Sequence, residues 1–264
     1  MTGRHQAAGR RPAEGRDHDD EADADHCGGS RDAVRGGARA LGVRRLRRRG
    51  EAFKGQKPDD IAAKAVAATD KAPSVHLKGT SHVKGGNVVK IDVRVDDKGA
   101  CTGTVSGDGA TAELLRDGGD LLIKGDKKFW TNSARAGGGT GSQGAQLADK
   151  LAGKWVKAPA DSADAAFCDK KAFLASMDQD KSERQGLKRG DTSEVDGKDA
   201  LTLKKEKGGK ELRLHVATDG KPYLLRTETK GSEPNTMTFT EYGKKVEVEK
   251  PGADEIVDPA NLKA

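Results

Sequence analysis

The sequence predicts an α+β fold, an antiparallel β half-barrel with a few helices packed on its concave face, and three observations predict it. Short runs in which Leu, Val or Ile alternate with Lys, Glu, Arg or Thr recur in two groups, so each strand has one wet face and one covered face. Tight Asp-Gly, Gly-Gly and Lys-Gly turns join these runs, which makes sequential strands antiparallel neighbours. Helical periodicity before the first group and between the two supplies the elements that cover the sheet.

Taken in order, Pro58, Asp59 and Asp60 suit a first helical turn, Ile61, Ala65, Ala68 and Ala72 recur at helical spacing, and Pro73 ends the run. Val75, Leu77 and Val83 then alternate with polar residues, Gly85 to Asn87 supply a turn, and Val89, Ile91, Val93 and Val95 alternate again. CTGTVSGDG, TAELLRDGGD and LLIKGDKKF read as three shorter strands. FWTNSA at 129–134 begins a short helix, RAGGGTGSQG is a loop, and AQLADKLAGK (145–154) and SADAAFCDKKAFLASM (162–177) are helical. DTSEVDG, DALTLKKEKGG, KELRLHVATDG, KPYLLRTETKG, NTMTFTEYG and KVEVEKP form a second meander.

Composition divides the chain near Gly50. Residues 1–50 hold twelve Arg and no Lys, whereas 51–264 hold seven Arg and twenty-nine Lys. With Val34, Leu41, Val43 and Leu46 as its sizeable apolar residues, the leading segment has too little to bury and is expected to be disordered. Residues 51–264 are the folded domain. Its core is expected to be thin, because the chain is 33% apolar, 3% aromatic and 34% charged.

The net charge of +6 does not imply nucleic-acid binding. The first fifty residues carry +4 of it, and the +2 of the domain is spread among charges of both signs. Aromatic stacking residues are scarce, and RRLRRR at 44–49 reads as a basic tail. No window approaches the roughly eighteen apolar residues of a membrane span, and no apolar stretch of a signal peptide follows the Arg-rich start.

Gly139, Gly141 and Gly144 match G-x-G-x-x-G, but TNSARAG before them is no buried strand, so no dinucleotide is expected there. No cofactor and no metal are expected. His18, His26 and Cys27 match no zinc spacing. His76 and His82 share the parity opposite to Val75, Leu77 and Val83, and His215 lies between Leu214 and Val216, so all three are expected on the solvent face. None has a Ser or Cys and an acid beside it in sequence as nucleophile and orienting group, and the chain is not expected to be an enzyme. Trp130 and Trp155 are both expected on the concave side, as core or facing a ligand. Cys101 and Cys168 fit one disulfide in an exported protein and equally two buried thiols in a cytosolic one.

The leading helix, the strands beginning SVHLKG, then GACTGTVS, AELLRDGGDLLIKGDKKFW, LAGKWVKAP, FCDKKAFL, a second group of strands and the closing PYLLR and DEIVDPANL resemble one family. Over residues 52–262 the chain is similar to secreted lipoproteins of actinobacteria whose fold belongs with the LolA/LolB and LppX/LprG group. The resemblance implies a half-barrel enclosing an apolar cavity that takes acyl chains of lipid or lipoglycan. It also implies an acylated Cys holding the protein to the outer face of the cytoplasmic membrane. This sequence lacks the signal and the lipobox, and DADH before Cys27 is no lipobox. Residues 1–50 are therefore read as a misassigned start or a frame error, with a basic arm as the alternative.

The expectation is thus a monomeric, membrane-anchored envelope lipoprotein binding an apolar ligand; the competing reading is a sensor or interaction module that regulates a membrane partner without carrying a ligand. Strand parity makes Val75, Leu77, Val89, Ile91, Val93, Leu203, Leu214 and Phe239 the candidate lining, with Phe129 and Trp130 near the mouth. In an exported protein Cys101 and Cys168 are expected to form a disulfide joining the sheet to the helical middle.

Overall fold

A computed structural model describes residues 52–82, 87–138, 141–158, 162–177 and 185–259. The leading segment, with His18, His26 and Cys27, lies outside the described residues, as do Val83, Gly85 and Gly139. Twelve strands form one open sheet: β1 (Ser74–His82), β2 (Val88–Asp96), β3 (Ala100–Gly107), β4 (Ala110–Asp117), β5 (Leu121–Gly125), β6 (Trp155–Ala158), β7 (Lys188–Val195), β8 (Lys198–Lys207), β9 (Lys210–Ala217), β10 (Leu224–Lys230), β11 (Asn235–Thr240) and β12 (Ile256–Val257). Their order is β12-β6-β5-β4-β3-β2-β1-β11-β10-β9-β8-β7, antiparallel throughout except where β12 runs parallel to β6. Two local meanders therefore meet at one seam, β1 against β11, with Leu77 opposite Phe239 and Gly79 opposite Met237.

The sheet curls because it carries glycine where neighbouring backbones crowd together. A Cβ on Gly79 would stand 2.0 Å from the Thr236 carbonyl oxygen, and one on Gly103 would stand 2.2 Å from that of Asp92. Real Cβ atoms essentially never come within 3.0 Å of such a neighbour. Gly79 shares the apolar side with Leu77, and Gly103 pairs with Val93, so the sheet bends toward that side.

Among the described residues four helices accompany the sheet: α1 (Pro58–Asp70), α2 (Lys127–Ala136), α3 (Gly141–Leu151) and α4 (Lys170–Met177). Pro58 opens α1, and its buried face is Ile61, Ala62, Ala65 and Thr69. Asp59 accepts the backbone N–H groups of Gly186 and Leu187 at 2.9 Å each, fastening the start of α1 to the approach to β7. At the other end the buried Lys170 ammonium donates to the carbonyls of Asp70 and Ala72, occupying acceptors that a helix C-terminus leaves free.

Four expectations need correction. The helical run 162–177 is a 3₁₀ turn (Ala163–Cys168) and then α4, divided because Asp169 accepts the Ala172 N–H and starts a new helix. Gly141 and Gly144, read as loop, lie in α3. KVEVEKP has strand-like alternation yet pairs with no strand; it is an extended strap on the outer face, with Val246 buried beside Ser74, Arg94 and Thr102. Trp155 begins β6 with Val156 as its buried neighbour, so it stands on the outer face, where Lys124 lies 5.7 Å from its ring centre.

The strap begins at Glu241, whose φ of 53° turns the chain off β11, and whose carboxylate accepts from Arg94 Nε at 2.7 Å and Lys244 Nζ at 3.1 Å. Those two cations hold the carboxyl below the ordinary glutamate range. Lys250 then pairs with Asp117 at 2.8 Å, and Ile256 reaches Trp155 in β6.

Candidate functional site on the concave face

The strand register sets up two apolar rows across the concave side. One runs Phe239, Leu77, Val93, Gly103, Leu114, Ile123, Val156. The other runs Leu203, Leu214, Thr227, Met237, Gly79, Ile91, Val105, Ala112, Gly125. All ten candidate positions fall in one hydrophobic cluster: Val75, Leu77, Ile91, Val93, Leu203, Leu214 and Phe239 are buried, and Val89, Phe129 and Trp130 pack half-buried against them. Alternation made this grouping legible within each meander. The register across the seam, which brings Phe239 to Leu77, is a tertiary fact.

The cover over these rows mixes small and bulky side chains. Ile61, Ala62 and Ala65 of α1 and Phe173 of α4 join the cluster, and so does the Cys101–Cys168 disulfide, with Cα atoms 5.3 Å apart. The disulfide ties the 3₁₀ turn to β3. At the far end α2 has no fully buried residue; Asp126 starts it by accepting the Phe129 N–H at 2.7 Å. Phe129 and Trp130 meet edge-to-face with ring centres 5.0 Å apart. They rest on Gly125, where a Cβ would come within 2.3 Å of Phe129 Cδ1. Trp130 Nε1 is buried there with no acceptor.

The centre of this interior is closed. Val75, Leu77, Val93, Leu203 and Phe239 are at most 1% exposed. The half-buried positions Val89, Phe129 and Trp130 form its rim. Asp164, in the 3₁₀ turn, is held above the usual carboxylate range by burial.

The outer face carries the polar chemistry. His76 and His215 lie on it as parity implied, but both are buried rather than open to solvent, at 9% and 8% exposure. His76 Nε2 lies 2.6 Å from Asp92 Oδ1, and Lys78 pairs with the other carboxylate oxygen at 2.8 Å. Burial pushes the Asp92 carboxyl up, but the bonds from Lys78 and His76 outweigh it and leave it below the ordinary range. Around His215 the sheet gathers Ser193 (3.2 Å), Thr202 (3.3 Å) and Glu228 (3.9 Å), a grouping that the sequence did not reveal. Burial lowers the imidazole pKa, and the Glu228 carboxylate stands beyond hydrogen-bond distance. Among the described residues no three His, Cys, Asp or Glu groups converge to hold a metal.

Neither a protein-family model nor a curated protein matches the chain. Among solved structures it is similar in fold to the Mycobacterium tuberculosis lipoprotein LppX (15% identity, 72% of this chain and 97% of that one, TM-score 0.45). It is likewise similar to LprF from Mycobacterium bovis (15% identity, 74% and 97%, TM-score 0.48). A likeness to the Pseudomonas aeruginosa MucA/MucB complex spans 75% of this chain and 59% of that one, at 19% identity and TM-score 0.32.

Proposed function

We propose that this protein is an extracytoplasmic envelope lipoprotein, held to the cytoplasmic membrane by an N-terminal lipid anchor, that binds acyl chains between the concave sheet and its helical cover. The observation that carries this reading is the mismatch between the two layers. An apolar surface continuous over both meanders is covered by a narrow face of α1, in which Ala62 and Ala65 accompany Ile61, and, at the rim, by an aromatic pair on a helix that has no buried residue of its own. Methylene chains that displaced this cover would replace its apolar contacts with the sheet by contacts of the same kind. The buried Cys101–Cys168 bond supports an oxidising compartment. Among the described residues no helix is long and apolar enough to cross a membrane.

The energetics favour ligands with more than one chain. A sixteen-carbon chain gains roughly 12 kcal/mol at about 0.8 kcal/mol per methylene. Association costs an estimated ~4–15 kcal/mol before the cover moves. One chain binds weakly, and two or three survive purification.

The closed centre favours a second reading, a filled sensor or interaction module that regulates a membrane partner. Mass spectrometry of the organic extract of natively purified protein separates the two. Carriage gives stoichiometric di- or triacyl lipid, and a fluorescent acyl probe that binds at least tenfold more weakly to Phe129→Glu. No lipid, with probe binding the same in both proteins, makes the module the function.

A further inference from the structure

We propose that the α2–α3 hairpin is a docking surface for an anionic lipid bilayer, whether or not the protein carries lipid. The two helices run antiparallel. Lys127 at the start of α2 pairs with Asp149 near the end of α3 at 2.5 Å, and a Cβ on Gly144 of α3 would stand 3.1 Å from Ala134 Cβ near the end of α2. On this hairpin sits Leu147, the large hydrophobic side chain that the described surface leaves in water, at 38% exposure. Buried Leu151 lies one turn further along α3, so Leu147 occupies the edge of the packed face, with exposed Lys150 beside it.

Charge is concentrated at the same place. Residues 126–154 hold five cations and two acids, +3, whereas the whole of 51–264 carries +2, so the rest of the domain is net negative. Both acids are engaged. Asp126 accepts the N–H groups of Phe129 and Thr111 at 2.7 and 2.8 Å, and Asp149 holds Lys127. Lys128, Arg135, Lys150 and Lys154 are exposed and form no ion pair among the described residues.

Dispersed lysines and an arginine around one protruding apolar side chain, with an indole half-buried at the base, match a diffuse anionic interface. The cations meet lipid phosphates, and Leu147 enters the boundary between headgroups and chains. A protein partner with discrete acidic sites calls for aligned donors or a groove, which these scattered ammonium groups do not supply.

The test uses the full chain with Trp155→Phe, which leaves Trp130 as its one indole. Vesicles of phosphatidylcholine with brominated phosphatidylglycerol should quench Trp130 fluorescence, and vesicles of brominated phosphatidylcholine alone should not. Leu147→Asp, and Arg135→Glu with Lys150→Glu, alter exposed positions; each should weaken the quenching affinity at least about tenfold with the far-UV spectrum unchanged. Vesicles that capture the chain without quenching Trp130 would mean that the Arg-rich leading segment does the binding, and the proposal falls. It falls equally if the variants are quenched as the parent is, or if an acidic protein binds the hairpin while vesicles do not.

Discussion

The hydroxyls of Thr69 and Tyr242, 173 residues apart, meet at 3.3 Å and complete a ring of hydrogen bonds around Leu224. Leu224 N–H donates to Thr69 Oγ1 at 3.0 Å, and Tyr242 Oη donates to the Leu224 carbonyl at 2.5 Å, which leaves the threonine proton for the tyrosine oxygen. The ring sits where the register between β9 and β10 shifts, at Leu224/Arg226. A bulge leaves ladder groups unpaired, and here a side chain from α1 takes one of them.

Thr69→Val removes the hydroxyl at nearly constant volume and strands Leu224 N–H. Thr69 is fully buried, so the expected loss is about 1–3 kcal/mol. Thermal unfolding should show a drop of a few degrees, about 2–4 °C per kcal/mol at this size. A midpoint within a degree of the parent would show that the ring contributes nothing.

Burial is the main cause that raises the Tyr242 pKa. A phenol with a folded pKa above its unfolded value of about 10 stabilises the fold fully below pH 10, and that contribution is lost as pH rises through the folded value. Unfolding measured between pH 9 and about 11.5 should therefore show stability declining with pH, less steeply in Tyr242→Phe. In Tyr223→Phe, ultraviolet titration should show no phenolate until unfolding begins.

The Asp92 carboxyl is lowered, so the sign is opposite. Its contribution is present above the unfolded value of about 3.9 and is lost as pH falls through the folded one. Asp92→Asn should lower the urea midpoint at pH 7 and approach the parent in strong acid. A gap that does not narrow in acid would remove the ion pairs to His76 and Lys78 as its cause.

Replacing Cys101 and Cys168 by Ala opens a loop spanning 67 residues, worth roughly 4 kcal/mol in the chain-entropy model. Denaturant unfolding of the double variant measures it. Peptide mapping of oxidised protein without reductant should recover the two cysteines in one linked fragment.

Gly79→Ala should prevent folding or cost several kcal/mol, because its Cβ meets backbone rather than a side chain that can turn aside. Gly137→Ala is the control: at φ −79° with nothing nearer than 3.6 Å, it should be neutral or stabilise by about 0.4–1 kcal/mol. Circular dichroism and thermal melts of the pair separate crowding from a general intolerance of glycine loss.

Much of the fold was legible wherever a local pattern decided it. Val89, Ile91, Val93 and Val95 alternate and form β2, while Pro58 and its acids open α1. What stayed hidden depended on distant partners. KVEVEKP alternates as a strand does, but its site on the outer face offers packing for Val246 rather than a free ladder. Thr69 looked like an ordinary helix position because its partners are Leu224 and Tyr242. His76 has outward parity, yet it is buried among Asp92, Thr240 and the strap. The break before α4 did have a signal, Asp169 placed to cap Ala172, which the apolar periodicity on either side overrode. Parity alone grouped the eight strand positions on one face; how nearly α1 approaches them depends on tertiary packing.

The single seam between β1 and β11 makes order of synthesis matter. β1 through β6 can assemble from residues 74–158, but β1 then stays an open edge until β11 emerges some 80 residues later. Through that interval the unpaired edge of β1 is a template for any extended chain nearby. A circular permutant that begins at β7 and passes from β11 directly into β1 should close that edge as soon as β1 is made.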